Sequence, residues 1–172
     1  RIEGFSNGIG NYAVTGQPYN TIMGSYALKD AQGRYIIDPT DGTIIIPTNG
    51  GAGYNYTVTW TNLTNAGVNE GSATAQTGNY TITVLENNST YEIAISGDFP
   101  HFYMNFDERL KLQTIEEWGD IQWTSMSFAF QNCENLTYRA TDSPNLSGVT
   151  DMSGMFRGCS SFDGNATMND WN

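Results

Sequence analysis

The sequence predicts a mainly β protein with short helices: a small antiparallel β-sandwich followed by the start of a stacked-repeat solenoid. Three observations carry that expectation. Three segments in the middle of the chain alternate apolar and polar residues with a period of two. Four apolar positions near the C-terminus recur at a common offset of 26 residues. Charged residues make up only 15% of a chain rich in Gly, Asn, Thr, Ser and Tyr, a composition that favours strands and turns over long helices.

Residues 1–37 read as a β and loop segment. Runs such as Tyr12-Ala13-Val14 and Ser25-Tyr26-Ala27-Leu28 are interrupted by Gly4, Gly8, Gly10, Gly16, Pro18, Gly24 and Gly33, which favours strands and turns. Either this segment adds edge strands to the sandwich or it ends a preceding module. The residues leave both open.

Residues 38–104 are expected to form the sandwich. Tyr54-Asn55-Tyr56-Thr57-Val58-Thr59-Trp60, Asn79-Tyr80-Thr81-Ile82-Thr83-Val84 and Tyr91-Glu92-Ile93-Ala94-Ile95-Ser96-Gly97 place Tyr56, Val58, Trp60, Tyr80, Ile82, Val84, Tyr91, Ile93 and Ile95 on one face. Thr43-Ile44-Ile45-Ile46-Pro47 supplies a fourth, more buried strand ended by proline. Glu86-Asn87-Asn88-Ser89 reads as a hairpin turn.

Residues 105–172 hold the repeats. Met126, Phe130, Cys133 and Leu136 reappear as Met152, Phe156, Cys159 and Phe162, each displaced by 26 residues. A unit this small cannot bury its own apolar face, so consecutive units must stack. With Met155, these residues form a stripe at helical spacing, which predicts a short helix and then an extended segment in each copy. They are the expected repeat core, with Trp118, Trp123 and Trp171 at its edges. The last copy reads as incomplete, so the chain is expected to be a piece of a longer protein.

The two copies, Ser125-Met126-Ser127-Phe128-Ala129-Phe130-Gln131-Asn132-Cys133 and Val149-Thr150-Asp151-Met152-Ser153-Gly154-Met155-Phe156-Arg157-Gly158-Cys159, together with the closing Asp170-Trp171-Asn172, resemble the BspA-like leucine-rich-repeat surface proteins, also described as mycoplasma lipoprotein-type repeats. The resemblance covers residues 115–172. It implies a leucine-rich-repeat-type solenoid and a non-catalytic adhesion or interaction protein at the cell surface or secreted. Trp60 followed by Gly78-Asn79-Tyr80-Thr81-Ile82-Thr83-Val84 resembles polycystic kidney disease-type immunoglobulin-like modules. It departs from them where Thr61-Asn62-Leu63-Thr64 replaces their acidic Gly-Asp turn.

The formal charge of −11 is spread along the chain, −5 over the first hundred residues and −6 over the rest. A diffuse negative surface disfavours nucleic acid and anionic membrane as partners. No apolar run is long enough to span a bilayer. Two cysteines at equivalent repeat positions read as free core thiols rather than a disulfide framework.

Residue types that carry chemistry are sparse. His101, the single histidine, stands among aromatics without a nucleophile or second histidine at catalytic spacing, and reads as structural. Glu116-Glu117 and Asp107-Glu108 are sequence neighbours whose side chains diverge, and read as solvated charges. Gly8-Ile9-Gly10 reads as a turn. No catalytic residue, cofactor site or metal site is assigned; Asp38-Pro39-Thr40-Asp41-Gly42 and Asp163-Gly164-Asn165 offer oxygen ligands to calcium but fit ordinary Asp-Gly turns.

Three classes of function stay open. The first is an extracellular or cell-surface repeat protein that binds a protein or glycan ligand on a host, matrix or neighbouring cell, with self-assembly as a minor variant. The second is a carbohydrate-binding accessory region, which needs at least two of Trp60, Trp118, Trp123, Trp171, Tyr103 and Tyr138 exposed in a row. The third is a non-catalytic appendage of a larger secreted hydrolase. The expected contact face comprises Thr137, Tyr138 and Arg139 after the first Cys, Asp163 and Asn165 after the second, and Trp171.

Overall fold

The computed structural model describes residues 33–37, 41–83, 85–87, 89–104 and 108–171. They are mainly β: β1 (Gly33–Ile37), β2 (Ile44–Ile46), β3 (Asn55–Asn62), β4 (Gly71–Gln76), β5 (Tyr80–Ile82), β6 (Tyr91–Asp98), β7 (Leu112–Glu117) and β8 (Thr137–Tyr138). Six strands form one mixed sheet in the order β4-β3-β6-β1-β7-β8, and β2 pairs with β5 in a second, small sheet. Among the strands named, all pairings are antiparallel except β7 with β8; an isolated bridge of Gln122 with Asn145 is also parallel.

Alternation along β3 and β6 sets the inner face of the large sheet. Tyr56, Val58, Tyr91, Ile93 and Ile95 are buried there, with Val58 opposite Ile95 and Trp60 opposite Ile93. Ile44, Ile46 and Ile82 from the small sheet are buried in the same apolar cluster. Trp60 and Tyr80 are half-buried, and Val84 lies outside the described residues. The ring of Trp60 lies against Gly71 of β4, where a Cβ would come within 2.6 Å of it. That contact explains the glycine at this position.

One upstream expectation is corrected. Ser89 N–H does donate to Glu86 O, at 3.3 Å, so the chain turns there. It is no hairpin, however, because β5 pairs with β2 while β6 lies between β3 and β1. The strand β1 falls in the segment whose residues leave open whether it adds edge strands to the sandwich or ends a preceding module. It is an interior strand, paired with β6 on one side and β7 on the other. The rest of that segment, residues 1–32, with the Gly8-Ile9-Gly10 turn, lies outside the described residues.

Through β1 and β7 the sheet runs from the upstream strands into the repeats, and the apolar core follows it. A column of rings links the two: Tyr56 to Phe99 at 5.0 Å, Phe99 to Phe102 at 5.7 Å, Phe102 to Phe130 at 5.2 Å and Phe130 to Phe156 at 5.6 Å. The last two pairs are stacked, geometry that adds to the gain from burial. Glu108, expected as a solvated charge, is buried beneath this junction. It accepts from Lys111 Nζ at 2.9 Å and from Ile45 N–H at 3.0 Å. Lys111 also donates to Asp41 Oδ1 and to the carbonyl of Thr43, so its three protons are matched and the buried charges are compensated.

The repeat copies are not helical. Among the described residues the only helix is the 3-10 turn Ala166–Asp170. Each copy is a ribbon of successive i→i+3 turns: Ala129 N–H to Met126 O, Gln131 to Phe128 and Cys133 to Phe130, repeated 26 residues later by Met155 to Met152, Arg157 to Gly154 and Cys159 to Phe156. Phe128, Asn132, Gly154 and Gly158 have φ between 53° and 77°. A left-handed residue at every fourth position forbids an α-helix and leaves apolar residues at a spacing that mimics one.

The copies lie side by side. N–H groups of Met126, Phe128, Phe130 and Asn132 donate to carbonyls of Asp151, Ser153, Met155 and Arg157 at 2.7–2.9 Å. On the far side of the first copy, the Pro100 carbonyl takes Thr124 and Ser125 N–H, and Met104 N–H donates to Ala129 O. Covered on both sides, Met126, Phe130, Cys133 and Leu136 are fully buried, and Met155 is buried too. Phe156, Cys159 and Phe162 are half-buried. Met152 is 40% exposed and does not belong to the core. Among the described residues nothing covers its outer side as Pro100–Met104 covers that of the first copy.

Candidate functional site

The outer face of the large sheet carries a groove of about 400 Å³, floored by Ile36 of β1, Thr114 and Glu116 of β7 and Thr137 of β8. Leu63, Thr64 and Thr90 wall it on one side. Arg139, Gln113 and Asn135 rim the repeat side. Upstream strands and repeats therefore build it jointly.

Two irregularities aim its side chains. Along β7, Leu112 faces Ile37 and Thr114 faces Ile36, so Gln113 is skipped; Ile115 faces Tyr35 and Glu117 faces Arg34, so Glu116 is skipped. Bulged residues of this kind re-aim side chains. Thr114 Oγ1 donates to Glu116 Oε1 at 2.6 Å and holds the carboxylate. Asn135 Nδ2 donates to Leu110 O at 2.8 Å, and Gln113 Nε2 donates to Lys111 O at 3.1 Å, so both amides are pinned. The wall is tied by Leu63 N–H to Thr90 O at 2.8 Å and by Thr90 N–H to Thr64 Oγ1 at 2.9 Å.

The expected contact face divides. Thr137 and Arg139 line the groove, whereas Tyr138 between them is buried on the opposite face of the sheet. Period-two alternation of a strand demands this split. Tyr138 Oη accepts the indole N–H of Trp118 at 2.8 Å and belongs to the core. Asp163 and Asn165 are exposed but lie outside the groove lining, and Asn165 ties the 3-10 helix to the first copy by donating to Ala140 O at 3.0 Å. Trp171 is half-buried, with its ring 5.5 Å from that of Trp118. Trp118 and Trp123 are likewise buried rather than at an exposed edge, so with Tyr138 they offer no stacking platform for sugar rings. Of the six aromatics in the expected platform, Tyr103 alone is exposed.

His101 is buried at the junction. Its Nε2 lies 2.8 Å from Ser127 O and its Nδ1 lies 3.0 Å from Asn49 Nδ2. A carbonyl only accepts and an amide nitrogen only donates, so these partners set the Nε2–H tautomer. The ring thereby pins the loop after β2 to the first repeat. Asp41, from the expected calcium turn, is engaged by Lys111 and Thr43, and Asp38, Pro39 and Thr40 lie outside the described residues.

The comparisons fit the boundary that the hydrogen bonds draw. Residues 101–172 match the family described as Mycoplasma protein of unknown function, DUF285. The match begins at the segment that covers the first copy, includes both copies, and takes in Gln113, Thr114, Glu116, Asn135, Thr137 and Arg139 of the groove. Comparison with curated proteins finds no match, and comparison with solved structures finds none.

Sequence reasoning missed most of the groove. Gln113, Thr114 and Glu116 were hidden because two bulges break the alternation of β7 within six residues. Ile36, Leu63, Thr64 and Thr90 come from segments far apart in sequence, and no local pattern signals their meeting.

Proposed function

We propose that this chain is a non-catalytic interaction region of a cell-surface or secreted repeat protein of the BspA-like kind. On this reading residues 101–172 are coils of a leucine-rich-repeat-type solenoid, and the upstream strands are an immunoglobulin-like sandwich that fixes its first coil. The ligand is a protein or glycan outside the cell. Support comes from the 26-residue ladder between the copies and from the family match over the same residues.

The observation that carries the binding role is the placement of Thr137 and Arg139. Both follow the first Cys, where an outward segment is expected, and both line a polar groove whose amide and carboxylate groups are held in place. Pre-set side chains lose little freedom when a ligand binds.

The test is binding of the chain to immobilised extracellular-matrix proteins and glycans, beside a Thr137→Ala/Arg139→Ala variant with an unchanged melting curve. Binding that the variant loses supports the reading. Binding that the variant retains removes the groove from it, and no binding by either protein removes the interaction role of this region.

A further inference from the structure

We infer that the groove takes a neutral oligosaccharide, read by hydrogen-bonding side chains and not by aromatic stacking. This rests on the groove being the contact site and names the ligand class it fits.

Peptide ligands commonly join a sheet by adding a strand to a free edge, where main-chain groups supply the affinity. The floor of this groove is a sheet face: β1 is paired on both sides, and β7 is paired with β1 and β8. Under β1 and β7 the backbone groups are thus engaged within the sheet; β8, the edge strand that supplies Thr137, runs only two residues and is too short to template an added strand, so recognition falls to side chains.

Those side chains suit a polyhydroxylated ligand. Glu116 is an acceptor and the exposed Arg139 a donor; Thr137 Oγ1 donates to Gln113 O at 3.3 Å and so offers its lone pairs, Thr64 Oγ1 takes Thr90 N–H and keeps its proton to give, and the Thr90 hydroxyl can be either. A sugar hydroxyl both donates and accepts, so it satisfies a carboxylate and a guanidinium equally. Half-buried Ile36 and Leu63 put apolar surface among these groups, as the C–H face of a pyranose requires.

Charge and size agree. A chain of net charge −11 repels polyanionic glycans, which leaves neutral ones favoured. A volume of about 400 Å³ falls within the roughly 300–1,000 Å³ of small-molecule sites. The Thr114–Glu116 and Asn135–Leu110 hydrogen bonds set the polar groups before a ligand arrives.

The experiment titrates the ¹⁵N-labelled full chain with cellohexaose, maltohexaose, mannohexaose, chitohexaose and, as the anionic comparison, a hyaluronan hexasaccharide. The expected result is that at least one neutral hexasaccharide shifts amide resonances of Gln113, Thr114, Glu116, Thr137 and Arg139. Loss of one charged hydrogen bond, in Glu116→Gln or Arg139→Ala, should then raise Kd about tenfold or more, with the melting temperature unchanged. Binding of hyaluronan alone, shifts confined to other residues, or no shift with millimolar saccharide each overturn the assignment. If a matrix protein binds through Thr137 and Arg139 while every saccharide fails, the ligand class falls and the groove stands. If neither binds there, both fall.

Discussion

A Cβ on Gly154 would lie 2.7 Å from two atoms of the Phe128 ring, which reaches from the first repeat copy over bare backbone of the second. The two residues are 26 apart, share a left-handed backbone and occupy the same place in their turns. Gly154→Ala should therefore cost about 1–2 kcal/mol in backbone strain, plus the displacement of the ring. In a Phe128→Ala background only the strain remains, so a double-mutant cycle in urea should show coupling of about 0.5 kcal/mol or more. Additive effects would mean that the ring does not rest on Gly154.

Phe130 is at the centre of the column, fully buried between Phe102 and Phe156 and packed edge-on to Trp118. Phe130→Ala should destabilise the chain by about 3–5 kcal/mol. Met152→Ala, at an exposed site of the equivalent ribbon, should stay within about 0.5 kcal/mol. Chemical denaturation separates the two, and equal losses would contradict the burial asymmetry between the copies.

The ion cluster under the junction gives an acid dependence. Hydrogen bonds from Lys111 and Thr43 hold the Asp41 carboxyl at about 2, below its ordinary value of 3.8. A lowered folded-state value means that this contribution is complete above 3.8 and fades as pH falls toward 2. The Asp41 side chain is 60% exposed, so solvent keeps the contribution small. Asp41→Asn should flatten the fall of melting temperature over that interval. Lys111→Met should be far worse, by about 3–5 kcal/mol, because it removes the buried cation that faces the buried Glu108 carboxylate. A melting temperature indifferent to Lys111→Met would show that the pair is dispensable.

The two thiols should differ in reactivity. Burial pushes both thiols up from their ordinary value, and Cys133 is fully enclosed while Cys159 is half-buried and donates to Phe130 O at 2.9 Å. With a stoichiometric thiol reagent and mass spectrometry, Cys159 should be modified first and Cys133 only on unfolding. Equal rates would indicate that both copies open as one unit.

Much of the fold was legible wherever periodicity and burial coincide. Tyr56, Val58, Tyr91, Ile93 and Ile95 point inward as their alternation requires. The repeat offset anticipated the two parallel ribbons. Legibility failed at Tyr138, where an exposed segment was expected although its own alternation with Thr137 and Arg139 puts it inside. It failed also at the ribbons, because apolar residues at three- and four-residue spacing suit a row of i→i+3 turns as well as a helix. The left-handed residues that decide between them include Phe128 and Asn132, whose side chains give no local warning.

The sequence by itself determined the strands of regular alternation, the 26-residue register and the apolar residues of the first copy, since each is set by local spacing and side-chain chemistry. Only the tertiary structure decided that β1 lies inside the sheet, that β7 is twice bulged, that Glu108 is buried against Lys111 and that Thr64, Thr90, Glu116, Thr137 and Arg139 line one groove. Most of these relationships join residues tens of positions apart, and even the neighbouring pair of Glu108 and Lys111 is held by the distant Asp41, Thr43 and Ile45. Their free energy comes from burial and pairing completed when the sheet closes, which no local pattern encodes.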